Sequence, residues 1–91
     1  MKHNMEFLLT FHSTSAAIAA ERILLEAGAA VSVMPLPECI SAGCGIALRL
    51  PGNPQDSMYG DGLDALTAGG VAVQAVYSRK KTPSGYEYEI I

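Results

Sequence analysis

The sequence predicts an α+β domain of the ferredoxin-like βαββαβ kind, a sandwich of an antiparallel sheet with two helices on one face. Three observations predict it. Short apolar runs rich in β-formers are separated by two stretches of helical character, their order is strand, helix, strand, strand, helix, strand, and glycine or proline stands at most of the junctions. A final alternating stretch, Tyr86 to Ile91, adds a candidate C-terminal edge strand.

Met5 to Phe11 (M-E-F-L-L-T-F) is short and apolar and runs straight into small polar residues, so it reads as a buried first strand closed by His12. Ser13, Thr14 and Ser15 offer hydroxyls to the unpaired N–H groups of a first helical turn. From Ala16 to Ala27 the apolar positions Ala17, Ala20, Leu24 and Ala27 recur at steps of three and four, with Ile23 widening the stripe. Gly28 is the expected left-handed stop. Glu21 has two readings between which the sequence does not choose, a surface pair with Arg22 or Arg49 and a role in orienting the site.

Ala30 to Met34 predicts a second strand halted by Pro35, and Ile46 to Leu50 a third with one buried face, broken by Pro51 and Gly52. Asn53 and Pro54 read as the cap and first position of a second helix, with Met58, Leu63 and Leu66 toward the core and Gly69-Gly70 at its end. Gly60 and Gly62 each weaken a helix interior by about 1 kcal/mol relative to alanine, which predicts an irregular or late start. Val71 to Tyr77 predicts the fourth strand, and Thr82-Pro83-Ser84-Gly85 a turn.

At 91 residues the chain is expected to be one domain, with its core over about 5–78 and a turn and edge strand over 79–91. Hydrophobic residues at 49% against 16% charged disfavour a disordered chain or a coiled coil. A net charge of -3 argues against a phosphate-tracking surface, and the one basic cluster, Arg79, Lys80 and Lys81, reads as a solvated strand end. The central strands also lack the aromatic and basic platform on which RNA-binding versions of the fold stack bases. The longest apolar tract is interrupted by Glu21, Arg22 and Glu26, short of the roughly 20 apolar residues of a membrane span, and Met1 to Asn4 is not expected to open a signal peptide. A reducing cytoplasm is therefore the expected location, where cysteines persist as thiols.

The stretch Pro35 to Gly45 (P-L-P-E-C-I-S-A-G-C-G) holds both cysteines between two predicted strands. In the predicted topology the loop joining strands two and three lies at the same sheet edge as the junction of strand one and helix one. Cys39 and Cys44 are thus expected beside His12 and the helix that Ser13 opens, and an imidazole and a helix N-terminus both favour the nucleophilic thiolate. Gly43 and Gly45 flank Cys44 and leave its sulfur open to approach, which makes Cys44 the better nucleophile candidate. Ser13, Ser41, Gly43 and Gly45 are the candidate binding residues around it, His12 a thiolate partner and Cys39 a resolving thiol. The alternative is a small buried cysteine at a strand start, since free cysteine is among the most buried residue types. A labile Cys39–Cys44 disulfide would make the loop a redox switch. Zinc is disfavoured, because His3, His12, Cys39 and Cys44 lack the usual ligand spacing. With no nucleophile, base and orienting acid in view and no phosphate-binding glycine loop, neither a self-contained enzyme nor a cofactor is expected.

The run F-H-S-T-S-A-A-I-A-A-E-R-I-L-L-E-A-G (Phe11 to Gly28), Pro35, Pro37, Ile40-Ser41 and C-G-I-A-L-R (Cys44 to Arg49) resembles the small bacterial domain family described as putative selenium/sulfur carrier protein-like. The resemblance covers roughly Met5 to Tyr77. It implies a small α+β domain whose shared cysteine, here Cys44, carries sulfur or selenium as a persulfide or its selenium counterpart, with donor and acceptor proteins as partners. Glu38 is a departure, standing after the second proline where members of that family usually have arginine. The competing reading is a non-catalytic interaction or regulatory module with passive thiols. The edge strand makes homodimerisation a further expectation.

Overall fold

Seven elements follow one another in the chain: β1 (Met5–Thr10), α1 (Thr14–Glu26), β2 (Ser32–Pro35), β3 (Ile46–Pro51), α2 (Ser57–Ala68), β4 (Ala75–Thr82) and β5 (Gly85–Ile90). The computed structural model describes residues 5–40, 43, 45–51 and 57–91, without the side chains of residues 5 and 57–59. The strands form one sheet in the order β2-β3-β1-β4-β5, every neighbouring pair antiparallel. This is an α+β fold consistent with the ferredoxin-like class, extended by β5 beyond β4.

Two faces of the sheet are built differently. Phe7, Leu9 and Phe11 point to the helix side and share a buried core with Leu48, Leu50, Ala17, Ala20, Leu24 and Leu66. The two-residue period of β1 meets the three- and four-residue steps of α1 there, which is why both patterns were readable. Ser13 caps α1 by accepting from the Ala16 N–H at 3.1 Å, and Gly28 ends it with φ of 86°, a left-handed turn that glycine adopts without a Cβ penalty. In α2, Leu66 is fully buried, Leu63 packs at the core margin, and a β-carbon at Gly62 would stand in ordinary contact with the Leu24 side chain, 3.4 Å away. The predicted cap at Asn53 and Pro54 and the side chain of Met58 lie outside the described residues.

The opposite face carries no helix among the described residues, yet Leu8, Thr10 and Ala47 on it are fully buried. Register places Glu6, Leu8 and Thr10 beside Arg79, Tyr77 and Ala75 on this face, with Tyr88 next to Arg79 on β5. The Arg79 guanidinium lies across it: Nη1 is 3.4 Å from Glu6 Oε1 and 3.4 Å from Met34 Sδ, and the group sits 3.7 Å from the centre of the Tyr86 ring. Arg49 Nε approaches the same Glu6 carboxylate at 3.5 Å.

Three expectations are corrected. The fourth strand is Ala75–Thr82, not Val71 to Tyr77: Val71 packs against the core, and the Gln74 N–H donates to the Thr10 carbonyl at 2.8 Å before the ladder is joined. The polar S-R-K-K run is held as strand by pairing on both sides, with β1 and with β5, which overrides its weak local preference. Arg79 is consequently no solvated strand end but 8% exposed, its charge met by Glu6 and its flat surface by Tyr86. Arg49 takes Glu6, not Glu21, as its carboxylate.

Candidate functional site

β2 and β3 are closed into a hairpin by the loop of 36–45. Pro35 lies opposite Ile46, and the next rung is made by the Leu36 N–H donating to the Gly45 carbonyl at 3.0 Å. Pro35 and Ile46 form a non-hydrogen-bonded pair, so the missing N–H of the proline faces the outer edge and costs the ladder no rung, and Leu36 makes the last rung before the chain is released. The loop next folds into a tight turn, in which the Ile40 N–H returns to the Pro37 carbonyl at 3.0 Å. Glu38 and Cys39 occupy the tip of that turn and are exposed, while Ile40 drives its side chain inward and is 6% exposed. Burying one isoleucine contributes on the order of 2 kcal/mol, enough to hold one turn of the loop against the domain.

The far side of the loop is held by contact between backbones. At Gly43 a β-carbon would run into the carbonyl of His12, with its carbonyl carbon at 2.7 Å and its α-carbon at 3.1 Å. Only a residue without a side chain fits there. Gly45 has open space around it, so the two glycines flanking position 44 serve different ends: one permits close approach, the other does not need to.

His12 links β1 to α1 and is exposed; its imidazole makes no hydrogen bond or ion pair among the described residues. Ser13, one residue on, uses its hydroxyl oxygen to cap α1 and its carbonyl to accept from Ala17 at 3.1 Å. The β2–β3 loop and the start of α1 therefore meet at one edge of the sheet, as the order of elements required. Of the sequence-predicted residues, Gly43 and His12 are brought together, Ser13 is adjacent as helix cap, and Cys39 presents a free, exposed thiol. Cys44 and Ser41, and His3 of the zinc set, lie outside the described residues. Among those described, no group of three or more histidine, cysteine or acidic side chains converges as a metal site.

The burial of Ile40 is a structural feature that the sequence reading did not assign. Its signal was an apolar residue in the middle of a loop, directly after the exposed cysteine, where a polar residue would be expected.

The fold and this edge define a small α+β domain with a cysteine-bearing loop beside a helix start. The chain belongs to the family described as Putative Se/S carrier protein-like, whose model matches residues 6–78. That segment runs from β1 into β4 and contains the whole loop, whereas the Gly85–Ile90 strand falls beyond it. No curated protein and no solved structure is detectably similar to the chain. No helix among the described residues is long and apolar enough to cross a membrane.

Proposed function

We propose that the protein is a sulfur or selenium carrier in which Cys44 bears the transferred atom. The observation that carries this reading is the seating of Gly43 on the backbone of His12, within a chain of the Se/S carrier family. Cys44 is the next residue along, and a thiol at such an edge would feel the N-terminal end of α1, which favours the thiolate.

The transfer is an exchange without net redox change. The Cys44 thiolate attacks the outer sulfur of a donor protein's cysteine persulfide, a new sulfur–sulfur bond forms as the donor's own breaks, and the donor cysteine leaves as thiolate. Delivery to an acceptor thiolate repeats the step in reverse roles. Both steps need direct contact with partner proteins and a reducing compartment, and the cytoplasm supplies the latter. Cys39, exposed at the turn tip, is available to attack a Cys44 persulfide and release the outer sulfur as sulfide, leaving a Cys39–Cys44 disulfide.

Incubation with a cysteine desulfurase and free cysteine, followed by intact-protein and peptide mass spectrometry, tests the reading. A gain of one sulfur atom on the peptide bearing Cys44, absent from Cys44→Ser, is expected. An unlabelled Cys44 beside a labelled control thiol protein would overturn it, and a Cys44→Ser variant that keeps partner binding would favour an interaction module with passive thiols.

A further inference from the structure

We propose that β5 is a docking edge for an extended segment of another protein in which basic residues alternate with apolar ones. The inference does not depend on the thiol reading, because it rests on a different part of the chain.

The sheet has two outer edges, and they are unequal. β2 is four residues long and ends at Pro35, which cannot donate to an added strand. β5 has six residues, no proline, and an unbroken register with β4 from Tyr77↔Ile90 to Thr82↔Gly85, so no bulge turns it aside. The Ile91 N–H donates to the Val76 carbonyl at 2.8 Å, which sets the alternation along the strand. Residues 87 and 89 share the parity of Ile91 and bond to β4, and Tyr86, Tyr88 and Ile90 turn their N–H and C=O groups outward.

Side chains on β5 separate cleanly by face. Tyr86, Tyr88 and Ile90 lie on the helix-free face with Tyr77 and Arg79, and Tyr86 and Ile90 are 47% and 69% exposed. Glu87 and Glu89 lie on the other face, opposite Lys80 and Ser78. An added strand would therefore meet an aromatic and apolar surface at every second residue and carboxylates at the residues between.

This charge pattern selects the occupant. In a two-fold antiparallel pairing of β5 with a second copy, directly opposed residues share a face. Any register pairing four or more residues then sets Glu87 or Glu89 against another of these carboxylates, and like charges directly opposite are destabilising. A strand carrying Lys or Arg at those positions instead gains opposite-charge pairs, while its apolar residues cover the tyrosines and Ile90. The expectation of a homodimer through this edge is accordingly set aside in favour of a heterologous strand.

The test fuses an alternating Lys-Val segment to the C-terminus of the full chain through a flexible Gly/Ser linker of about ten residues, which raises its local concentration. Amide hydrogen exchange at Tyr86, Tyr88 and Ile90 is read by NMR, with an alternating Glu-Val fusion as control. The Lys-Val fusion should slow exchange at these three amides by about tenfold or more, equivalent to over 1.4 kcal/mol of added protection, and the Glu-Val fusion should leave them unchanged. In the Glu87→Lys/Glu89→Lys background the preference should invert. Equal protection by both segments, or by neither, would overturn the proposal, as would concentration-dependent protection of the same amides in the unfused protein.

Discussion

Gly43 rests against the carbonyl of His12 so closely that no side chain can stand between them. The contact joins the cysteine loop to the link between β1 and α1, two parts of the chain 31 residues apart, and it sets the sharpest prediction. Gly43→Ala should lower stability by about 1–3 kcal/mol, the range for forcing an extra methyl into packed surroundings. Gly45→Ala has open space and an ordinary φ, so its effect should stay within about 0.5 kcal/mol, with reduced freedom of the unfolded chain working in its favour. Urea unfolding of the two variants side by side checks the pair.

The turn tip gives a second prediction. Ile40→Ala should cost about 2–4 kcal/mol if its burial anchors the loop, while Cys39, already exposed, should alkylate in the native protein at nearly the rate of a peptide thiol. Iodoacetamide labelling of Cys39 in the folded chain, resolved by peptide mapping, measures the latter. Strong protection would mean that the turn is closed over in solution.

Arg79 and Tyr86 should be energetically coupled. A double-mutant cycle with Arg79→Ala and Tyr86→Ala is expected to return about 0.5–1 kcal/mol of interaction, the range for a guanidinium over a partly exposed ring. Arg79→Ala alone should cost more, about 1–3 kcal/mol, because it also leaves Glu6 with the weaker of its two cations and uncovers the sheet face. Arg79→Met, which keeps the length and drops the buried Nε that has no hydrogen-bond partner, should be the milder change.

Ser13→Ala removes the cap of α1 and should destabilise by about 1 kcal/mol, with Ser13→Asp close to wild type. Thermal unfolding by circular dichroism reports both.

Much of this architecture was legible because local and global preferences agree. Ala17, Ala20 and Leu24 keep helical spacing and are all fully buried, Ser13 caps where a hydroxyl was expected, and Gly28 takes the left-handed turn assigned to it. β4 was misplaced where the levels conflict: Val71 to Val73 looks more strand-like than Ser78 to Thr82, yet the latter holds the ladder because β5 pairs with all of it and β1 with Ser78 to Lys80. The burial of Arg79 needed residues from three other strands, Glu6, Met34 and Tyr86, and no sequence window contains all of them. At the loop, the shared edge followed from the order of elements. The turn that exposes Cys39 and buries Ile40 did not, because it depends on what the loop lies against.

β5 ascends the sheet in the same direction as β1, since both run opposite to β4. A strand added outside β5 lies four strand spacings from β3, about 19 Å, and its next residues emerge toward the side where Pro35 and Ile46 open the loop. About six extended residues, at roughly 3.3 Å each, span that gap. A guest strand held by its main chain at one margin of the sheet could thus lay its own reactive group near the loop on a short leash, and modest grip at the margin would become high local concentration at the thiol.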